Sequence, residues 1–297
     1  MEASVVAAVE TPSGKGSSDE NFPVGSFLIA RRLRRHVAVF YAFARAIDDI
    51  ADNPRLPATD KLTRLDAFEK AVTGRINDVP GYEKAYRLRQ SLTETRVPAQ
   101  HAVDLVAAFK QDATKLRYRD WDDLKGYCYL SASPVGRYLL DLHGETKDGY
   151  PASDALCNAL QIINHLQDCA DDCRNLDRVY LPMDFMTAEG ADISDLRRDR
   201  STPALRRVMD RTLDGVEGLL VLARQLPKKL RSRRLAMESA VIVEIAVRLT
   251  HLLRRRDPIA ERVELSSLAL LLCSIKGVVR TALQVSARAN RSQNKIS

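Results

Sequence analysis

Apolar residues recur three and four positions apart along most of this 297-residue chain. That spacing gathers them on one side of an α-helix, and no segment shows the sustained alternation that is typical of strands. Helices are predicted at residues 31–52, 62–73, 98–115, 124–142, 152–173, 203–225, 234–255 and 265–288. Helix breakers such as Asn53-Pro54 and Asp257-Pro258 fall between these segments. The sequence therefore predicts an all-α fold without strands.

The same pattern indicates a single domain. Hydrophobic residues make up 45% of the chain, and no linker rich in Pro, Gly and Ser follows residue 21. We expect one all-α domain over residues 21–290, with a disordered tail at residues 1–20 and a flexible tail at residues 291–297. The first tail has no basic region ahead of its short apolar stretch, so it does not resemble a signal peptide.

Cysteine usage and charge limit the cellular compartments and the classes of partner that fit this chain. The five cysteines form no CxxC motif and are odd in number, which indicates free thiols in a reducing, cytoplasmic compartment. The net charge of +7 comes from basic residues scattered through helical segments without interleaved aromatics, which argues against nucleic acid. Two basic stretches, residues 31–35 and 228–234, are read either as peripheral contacts with an anionic membrane or as solvated helix ends. No apolar run reaches the roughly 18 residues that a membrane span requires.

One predicted helix carries charge on an otherwise apolar surface. In residues 40–52, FYAFARAIDDIAD, one face holds Tyr41, Arg45, Asp48 and Asp52. A helix that is apolar on its other sides is normally buried, so this polar face points into the protein. Asp48 and Asp52 are four residues apart and repel each other unless a cation lies between them.

A second polar face follows about 120 residues later in QIINHLQDCADD. It holds Gln161, Asn164, His165, Asp168 and Asp172. A solvated surface would explain one such pair of carboxylates, but two pairs on mostly apolar helices favour a buried site for a hard divalent cation. Mg²⁺ suits this pattern because it binds through a few carboxylates together with substrate phosphates. Zn²⁺ is disfavoured, and His165 is read as a neutral hydrogen-bonding residue.

Three stretches resemble the signatures of the squalene/phytoene synthase family: residues 40–52, YCYLSASPVGRYLL at 127–140, and residues 161–182. The resemblance runs in the family's order from about residue 21 to residue 283. It implies an isoprenoid-synthase-type helical bundle around a central cavity that two Asp-rich helices flank. Residues 20–26 and 164–168 are most similar to the bacterial hydroxysqualene synthase branch. Those enzymes convert presqualene diphosphate and water to hydroxysqualene and diphosphate in hopanoid biosynthesis.

The resemblance also implies residue roles. The Mg²⁺ ligands would be Asp48, Asp52, Asn164, Asp168 and Asp172. The residues that bind the diphosphate substrate or its metals would be Tyr41, Arg45, Gln161, Asn164, Arg178 and Tyr180. Ser26 and Phe27 match the start of the first substrate-binding segment. Tyr127 would lie near the reacting carbons and act in catalysis with Tyr41 and Arg45.

Two departures from the family pattern bear on the reaction. Gln167 stands where squalene and phytoene synthases usually carry Arg, and residues 31–35 lack the Leu-Pro often found there. Gln167 implies a weaker diphosphate contact, which favours a carbon–oxygen lyase acting on presqualene diphosphate. The alternatives are a prenyltransferase that condenses two prenyl diphosphates head to head, and a non-catalytic scaffold that kept the fold.

The reaction also requires a side chain to hold the attacking water. Four side chains fit this role, and the sequence does not choose among them: Tyr127, Ser131, Ser133 and Gln161. Enzymes acting before and after this one in the pathway are the other expected partners. An apolar product further favours peripheral contact with a membrane.

Overall fold

The computed structural model describes residues 29–293, with side chains as far as residue 282. The prediction of an all-α fold is confirmed. The helices are α1 (Arg34–Asp52), α2 (Ala58–Val72), α3 (Glu83–Thr95), α4 (Gln100–Asp112), α5 (Trp121–Ser131), α6 (Ser133–Leu142), α7 (Tyr150–Gln167), α8 (Cys169–Asn175), α9 (Met183–Glu189), α10 (Pro203–Ala223), α11 (Leu226–Lys229), α12 (Arg233–Leu253) and α13 (Ser267–Gln293). Short 3₁₀ turns occupy Lys147–Gly149 and Ile193–Arg197. Ser26, Phe27 and the predicted tail at residues 1–20 lie outside the described residues, and α13 extends three residues into the predicted C-terminal tail.

The prediction that the chain has no strands is wrong. A two-stranded parallel sheet joins β1 (Arg117–Tyr118) to β2 (Val179–Pro182). Its strands are too short for an alternating pattern to stand out in the sequence. Their pairing ties the segment after α4 to the segment after α8, and this brings two distant parts of the chain together.

Two segments predicted as continuous helices are each divided in two. The first breaks at Ala132, where φ is −123°. Pro134 follows in the first turn of α6, and its ring cannot donate the backbone hydrogen bond that would continue α5. The second breaks at Asp168, which has φ −102° and ψ 5° and separates α7 from α8. No Pro or Gly marks this second break, so helix-breaker patterns do not predict it.

The apolar side chains form two clusters. One joins α1 to α4 with part of α6 and includes Phe43, Ile47 and Phe68. The other joins α5, α7, α10 and α12 and includes Ile163 and Val216. The polar faces of α1 and α7 belong to helices from different clusters. The fold therefore places the two acidic pairs where its two halves meet.

The last two long helices run antiparallel in close contact. Gly277 of α13 approaches Val241 of α12 so closely that a Cβ atom would lie 2.6 Å from the Val241 backbone nitrogen. Glu244 of α12 is buried and forms ion pairs with Lys276 at 2.7 Å and Arg280 at 3.2 Å. No helix in the described part of the chain is long and apolar enough to cross a membrane.

Candidate active site

The four polar residues predicted on α1 share one half-buried face of that helix. The Arg45 guanidinium lies 3.2 Å from Asp48 and 2.9 Å from Asp49. Asp49 is buried and was not among the predicted site residues, although its position four residues after Arg45 is the spacing of a helical ion pair. Tyr41 lies close enough to Arg45 to contribute to raising the pKa of the guanidinium. Arg45 therefore supplies positive charge at the Asp48 end of this face.

The second polar face spans the break between α7 and α8. Gln161 and Asn164 are half-buried on α7, whereas Asp168 is exposed at the break and Asp172 is partly buried on α8. The Gln161 side-chain nitrogen lies 3.2 Å from Nε2 of His165, and His165 Nδ1 lies 4.0 Å from an Asp172 oxygen. Burial lowers the pKa of His165 to about 3, so its ring is neutral near pH 7.

Arg178 connects the two halves of the site. It follows α8 just ahead of β2, and its side chain is buried. The guanidinium forms an ion pair with Asp52 at 2.5 Å and donates to the Ala51 carbonyl at 2.8 Å. Its Nε donates to the Asp112 carbonyl at 3.1 Å. Arg178 therefore holds the C-terminal end of α1 against the segment that follows the second acidic pair.

Asp112 is a site residue that the sequence analysis missed. Its carboxylate is buried at the end of α4 and accepts hydrogen bonds from the hydroxyls of Tyr127 at 2.7 Å and Tyr180 at 2.8 Å. Burial raises its pKa to about 6, with Arg178 and the two tyrosines opposing the shift. Asp112 continues the apolar face of α4 after Leu105 and Ala108. An acidic residue at such a core position was the available signal.

Aromatic contacts attach the second polar face to the same centre. The His165 ring stacks on Tyr180 with centroids 3.7 Å apart. Tyr118 of β1 stacks on Tyr180 at 5.5 Å and lies 5.2 Å from Tyr127. Tyr118 was also missed, because an isolated Tyr in a short strand has no sequence pattern. The structure thus joins Asp112, Tyr127, Tyr180 and His165 in one buried group between the acidic pairs.

The two acidic pairs are close enough to influence each other. Burial, followed by the Asp168 and Asp52 carboxylates, raises the pKa of Asp172 to about 8. Burial and Asp52 raise the pKa of Asp48 well above its usual range, although Arg45 opposes the shift. Carboxylates that repel each other in a poorly solvated site provide a strong driving force for binding cations.

The donor set fits Mg²⁺ that is bound together with a phosphorylated ligand. No group of three or more His, Cys, Asp or Glu side chains forms a complete metal cage in the part of the chain that the structure describes. Mg²⁺ does not require such a cage, because it commonly keeps several waters and uses one or two carboxylates with substrate phosphates. The residues present are oxygen donors in two pairs, and that chemistry suits Mg²⁺.

Gln167 binds the segment between α12 and α13. Its side chain is buried, and its amide donates to the Val263 carbonyl at 2.5 Å. Val263 is fully buried in the segment between α12 and α13. Gln167 therefore contacts this segment next to the Asp168 break. Its effect on a diphosphate contact stays a prediction.

The four side chains considered for holding water differ in their hydrogen bonds. Tyr127 donates to Asp112, Ser133 donates to Asn158 at 3.0 Å, and Gln161 lies beside His165. The Ser131 hydroxyl is buried without a hydrogen-bond partner among the described residues. Ser131 lies one helical turn after Tyr127 on the inner face of α5. Its hydroxyl is therefore the one of the four that no described group satisfies, and it can bind a small polar molecule.

Comparison with known proteins gives consistent results. The family model for squalene/phytoene synthase matches residues 16–269. The chain is 44% identical over 270 residues to the hydroxysqualene synthase of Rhodopseudomonas palustris, covering 91% of each protein. It is 42% identical over 253 residues to the hydroxysqualene synthase of Zymomonas mobilis, covering 84% of each.

Solved structures show the same fold. A squalene synthase, HpnC, from Alicyclobacillus acidocaldarius matches with a TM-score of 0.69 and 31% identity, over 80% of this chain and 90% of that one. A dehydrosqualene synthase matches with a TM-score of 0.74 over 89% of this chain and 92% of that one. Its identity of 19% makes this a likeness of fold alone. The predicted isoprenoid-synthase-type architecture is confirmed.

Proposed function

The chain belongs to the squalene/phytoene synthase family, and we propose that it converts presqualene diphosphate and water to hydroxysqualene and diphosphate. The observation that carries this proposal is identity of 40–44% over most of the chain to three proteins named hydroxysqualene synthase. Sequence identity to the phytoene synthase of Thermus thermophilus is 30%, over 63% of the chain. The lyase reaction is therefore favoured over head-to-head condensation.

The proposed cofactor is Mg²⁺. Asp48 and Asp52 on one side, with Asp168 and Asp172 on the other, would hold it together with the substrate diphosphate. Asn164 is the proposed amide ligand on α7. When bound, Mg²⁺ supplies Lewis-acid stabilisation of the diphosphate oxygens. The mutual repulsion of the acidic pairs supports this assignment, because the cation would relieve it.

The contacts suggest different roles for the two arginines. Arg45 is half-buried on the same face as Tyr41 and Asp48, and we place it and Tyr41 against the diphosphate. Arg178 uses its guanidinium on Asp52 and two backbone carbonyls, so we place it behind Asp52 as a positioning residue. Tyr180 likewise donates its hydroxyl to Asp112. Gln161, Ser26 and Phe27 stay proposed substrate contacts.

The chemistry requires a controlled supply of water. Breaking the carbon–oxygen bond releases diphosphate and leaves a carbocation on the hydrocarbon. Water then forms a new carbon–oxygen bond and loses one proton, which the released diphosphate accepts. We propose that Ser131 holds this water, since its hydroxyl is buried without a partner in the described chain. Tyr127, one turn earlier on α5, would present its ring to the cation.

The proposed reaction also implies which reactions precede and follow it. A condensing enzyme must supply the cyclopropyl diphosphate substrate, and a reductive enzyme would consume the alcohol product. All five cysteines are free thiols, in keeping with the proposal of a reducing, cytoplasmic compartment.

Product analysis tests the proposed function. The purified protein is incubated with Mg²⁺ and, in separate reactions, with farnesyl, geranylgeranyl or presqualene diphosphate. We expect only presqualene diphosphate, of the three substrates, to give products, namely hydroxysqualene and diphosphate. Formation of a joined product from farnesyl or geranylgeranyl diphosphate would instead establish condensation. Release of diphosphate from presqualene diphosphate without the alcohol would overturn the assignment.

A further inference from the structure

One face of α13 exposes large apolar side chains. Leu268, Leu271, Leu272, Ile275 and Val279 have exposed fractions of 50–66%. Their spacing of three and four places them along one side of the helix, opposite the residues that pack on α12. We call these five side chains the α13 outer face. No side chain in the described part of the chain buries them.

Basic side chains border the α13 outer face along one edge. Lys276 and Arg280 lie on this edge with side chains 68% and 48% exposed, and the buried Glu244 holds both in place. Arg248 of α12 is exposed and lines a surface cavity with Leu272 and Lys276. Residues 267–282 contain no acidic residue. The helix thus combines an apolar stripe with a positively charged border.

This combination favours one occupant. Helices with an apolar face and Lys or Arg on the polar flank lie in the plane of a membrane interface. The basic border is complementary to anionic lipid headgroups. A twofold contact between two copies would bring two basic borders together without acidic partners on the same face. We propose that the α13 outer face docks on an anionic membrane surface.

The position of α13 relates membrane docking to the reaction, and this relation alone rests on the proposed function. Val263, just before α13, accepts a hydrogen bond from Gln167. Gln167 directly precedes Asp168 of the second acidic pair. Leu268 follows Val263 by five residues, so the two lie within roughly 18 Å of each other. The membrane-facing helix therefore begins near the site, where a hydrocarbon substrate and product would transfer to and from lipid.

Vesicle flotation of the full-length protein tests the proposal. Vesicles of phosphatidylcholine with and without phosphatidylglycerol are compared. We expect binding to the anionic vesicles and a drop of about tenfold in partitioning for Leu271→Gln/Ile275→Gln, because that variant removes two apolar anchors. Val221→Gln/Leu222→Gln is the matched control, since Val221 and Leu222 are exposed apolar residues on α10. This control should bind as the wild type does.

The charged border is tested separately. Arg248→Gln should reduce binding to anionic vesicles about threefold to fivefold and leave binding to neutral vesicles unchanged. Wild-type protein that stays unbound with both kinds of vesicle would overturn the proposal. So would a wild-type dimer that Leu271→Gln/Ile275→Gln converts to a monomer, because a second copy would then cover the face. Vesicle binding that persists when presqualene diphosphate is not converted would reject the proposed function alone.

Discussion

The two acidic pairs of the site differ in how the protein balances their charge. Asp48 and Asp52 lie on the unbroken helix α1, and each has an arginine within ion-pair distance. Asp168 and Asp172 flank the start of α8 after a break in the helix. His165 lies 4.0 Å from Asp172, and burial keeps that ring neutral near pH 7.

If the proposed Mg²⁺ binds here, this difference predicts that Asp172 depends on it more than Asp48 or Asp52 does. Charges in a poorly solvated site need partners of opposite sign or hydrogen-bond donors. Arg45 and Arg178 provide such partners at the first pair, where they also fix the geometry of α1. At Asp172 the described chain places no Lys or Arg within ion-pair distance. Bound Mg²⁺ should therefore change the energetics of Asp172 more than those of Asp48 and Asp52.

Removing single carboxylates should have the largest effect. We expect Asp48→Asn and Asp172→Asn each to lower kcat by about 10²- to 10³-fold, since each removes charge that would hold the metal and the leaving group. Asp172→Asn should also raise the Mg²⁺ concentration needed for half-maximal rate more than Asp48→Asn does. Steady-state kinetics over a Mg²⁺ titration measures both. Asp171→Asn, at the exposed neighbour of Asp172, is the control and should retain activity.

Without Mg²⁺, substitutions in the two pairs should change the free energy of unfolding in different directions. Asp52→Asn should lower the free energy of unfolding by about 2 kcal/mol, because it leaves the buried Arg178 without its partner. Asp172→Asn should leave this free energy unchanged or raise it by about 1 kcal/mol, because it removes a carboxyl group whose charged form the folded state disfavours. Urea titration measures both. Destabilisation of equal size in the two variants would contradict the difference between the pairs.

The tyrosines that share Asp112 should differ in their kinetic effect. Tyr127→Phe and Tyr180→Phe each remove one hydrogen bond to the same carboxylate. Each should cost about 1 kcal/mol of stability. Only Tyr127→Phe should also lower kcat, by about tenfold or more, if its hydroxyl orients the ring at the reacting carbons. Equal kcat values for the two variants would place Tyr127 outside the reacting space.

Substitution of Ser131 tests whether its hydroxyl holds the attacking water. Ser131→Ala should shift the products, with the ratio of hydroxysqualene to released diphosphate falling about tenfold, because one hydrogen bond to the attacking water is lost. Ser133→Ala is the matched control, since Ser133 already donates to Asn158. The control should lose some stability but keep the product ratio. A ratio unchanged in Ser131→Ala would remove Ser131 from the proposed mechanism.

Helical spacing predicts which side chains of the candidate site share a helix face, and the limits of that prediction have physical causes. The faces of α1 and α7 follow from periodicity, because side chains four residues apart on one helix must share a side. The Arg178–Asp52 ion pair joins positions 126 residues apart, and periodicity carries no information about such contacts. Asp112 continues the apolar face of α4, and its place on that face is a signal, but the partners of its carboxylate come from distant segments that periodicity does not identify. The break at Asp168 has no Pro or Gly to mark it.

The smallest expected effect concerns Gln167, which lies directly before the break at Asp168 and therefore next to the second acidic pair. We expect Gln167→Met to lower the free energy of unfolding by about 1 kcal/mol, since the Val263 carbonyl loses its donor. Gln167→Arg should be destabilising as well and should not produce condensation of farnesyl diphosphate, because position 167 is buried against Val263. Urea titration and product analysis of both variants measure these outcomes. Condensation by Gln167→Arg would show that this side chain can reach the diphosphate, and that residue 167 sets the choice between lyase and condensing chemistry.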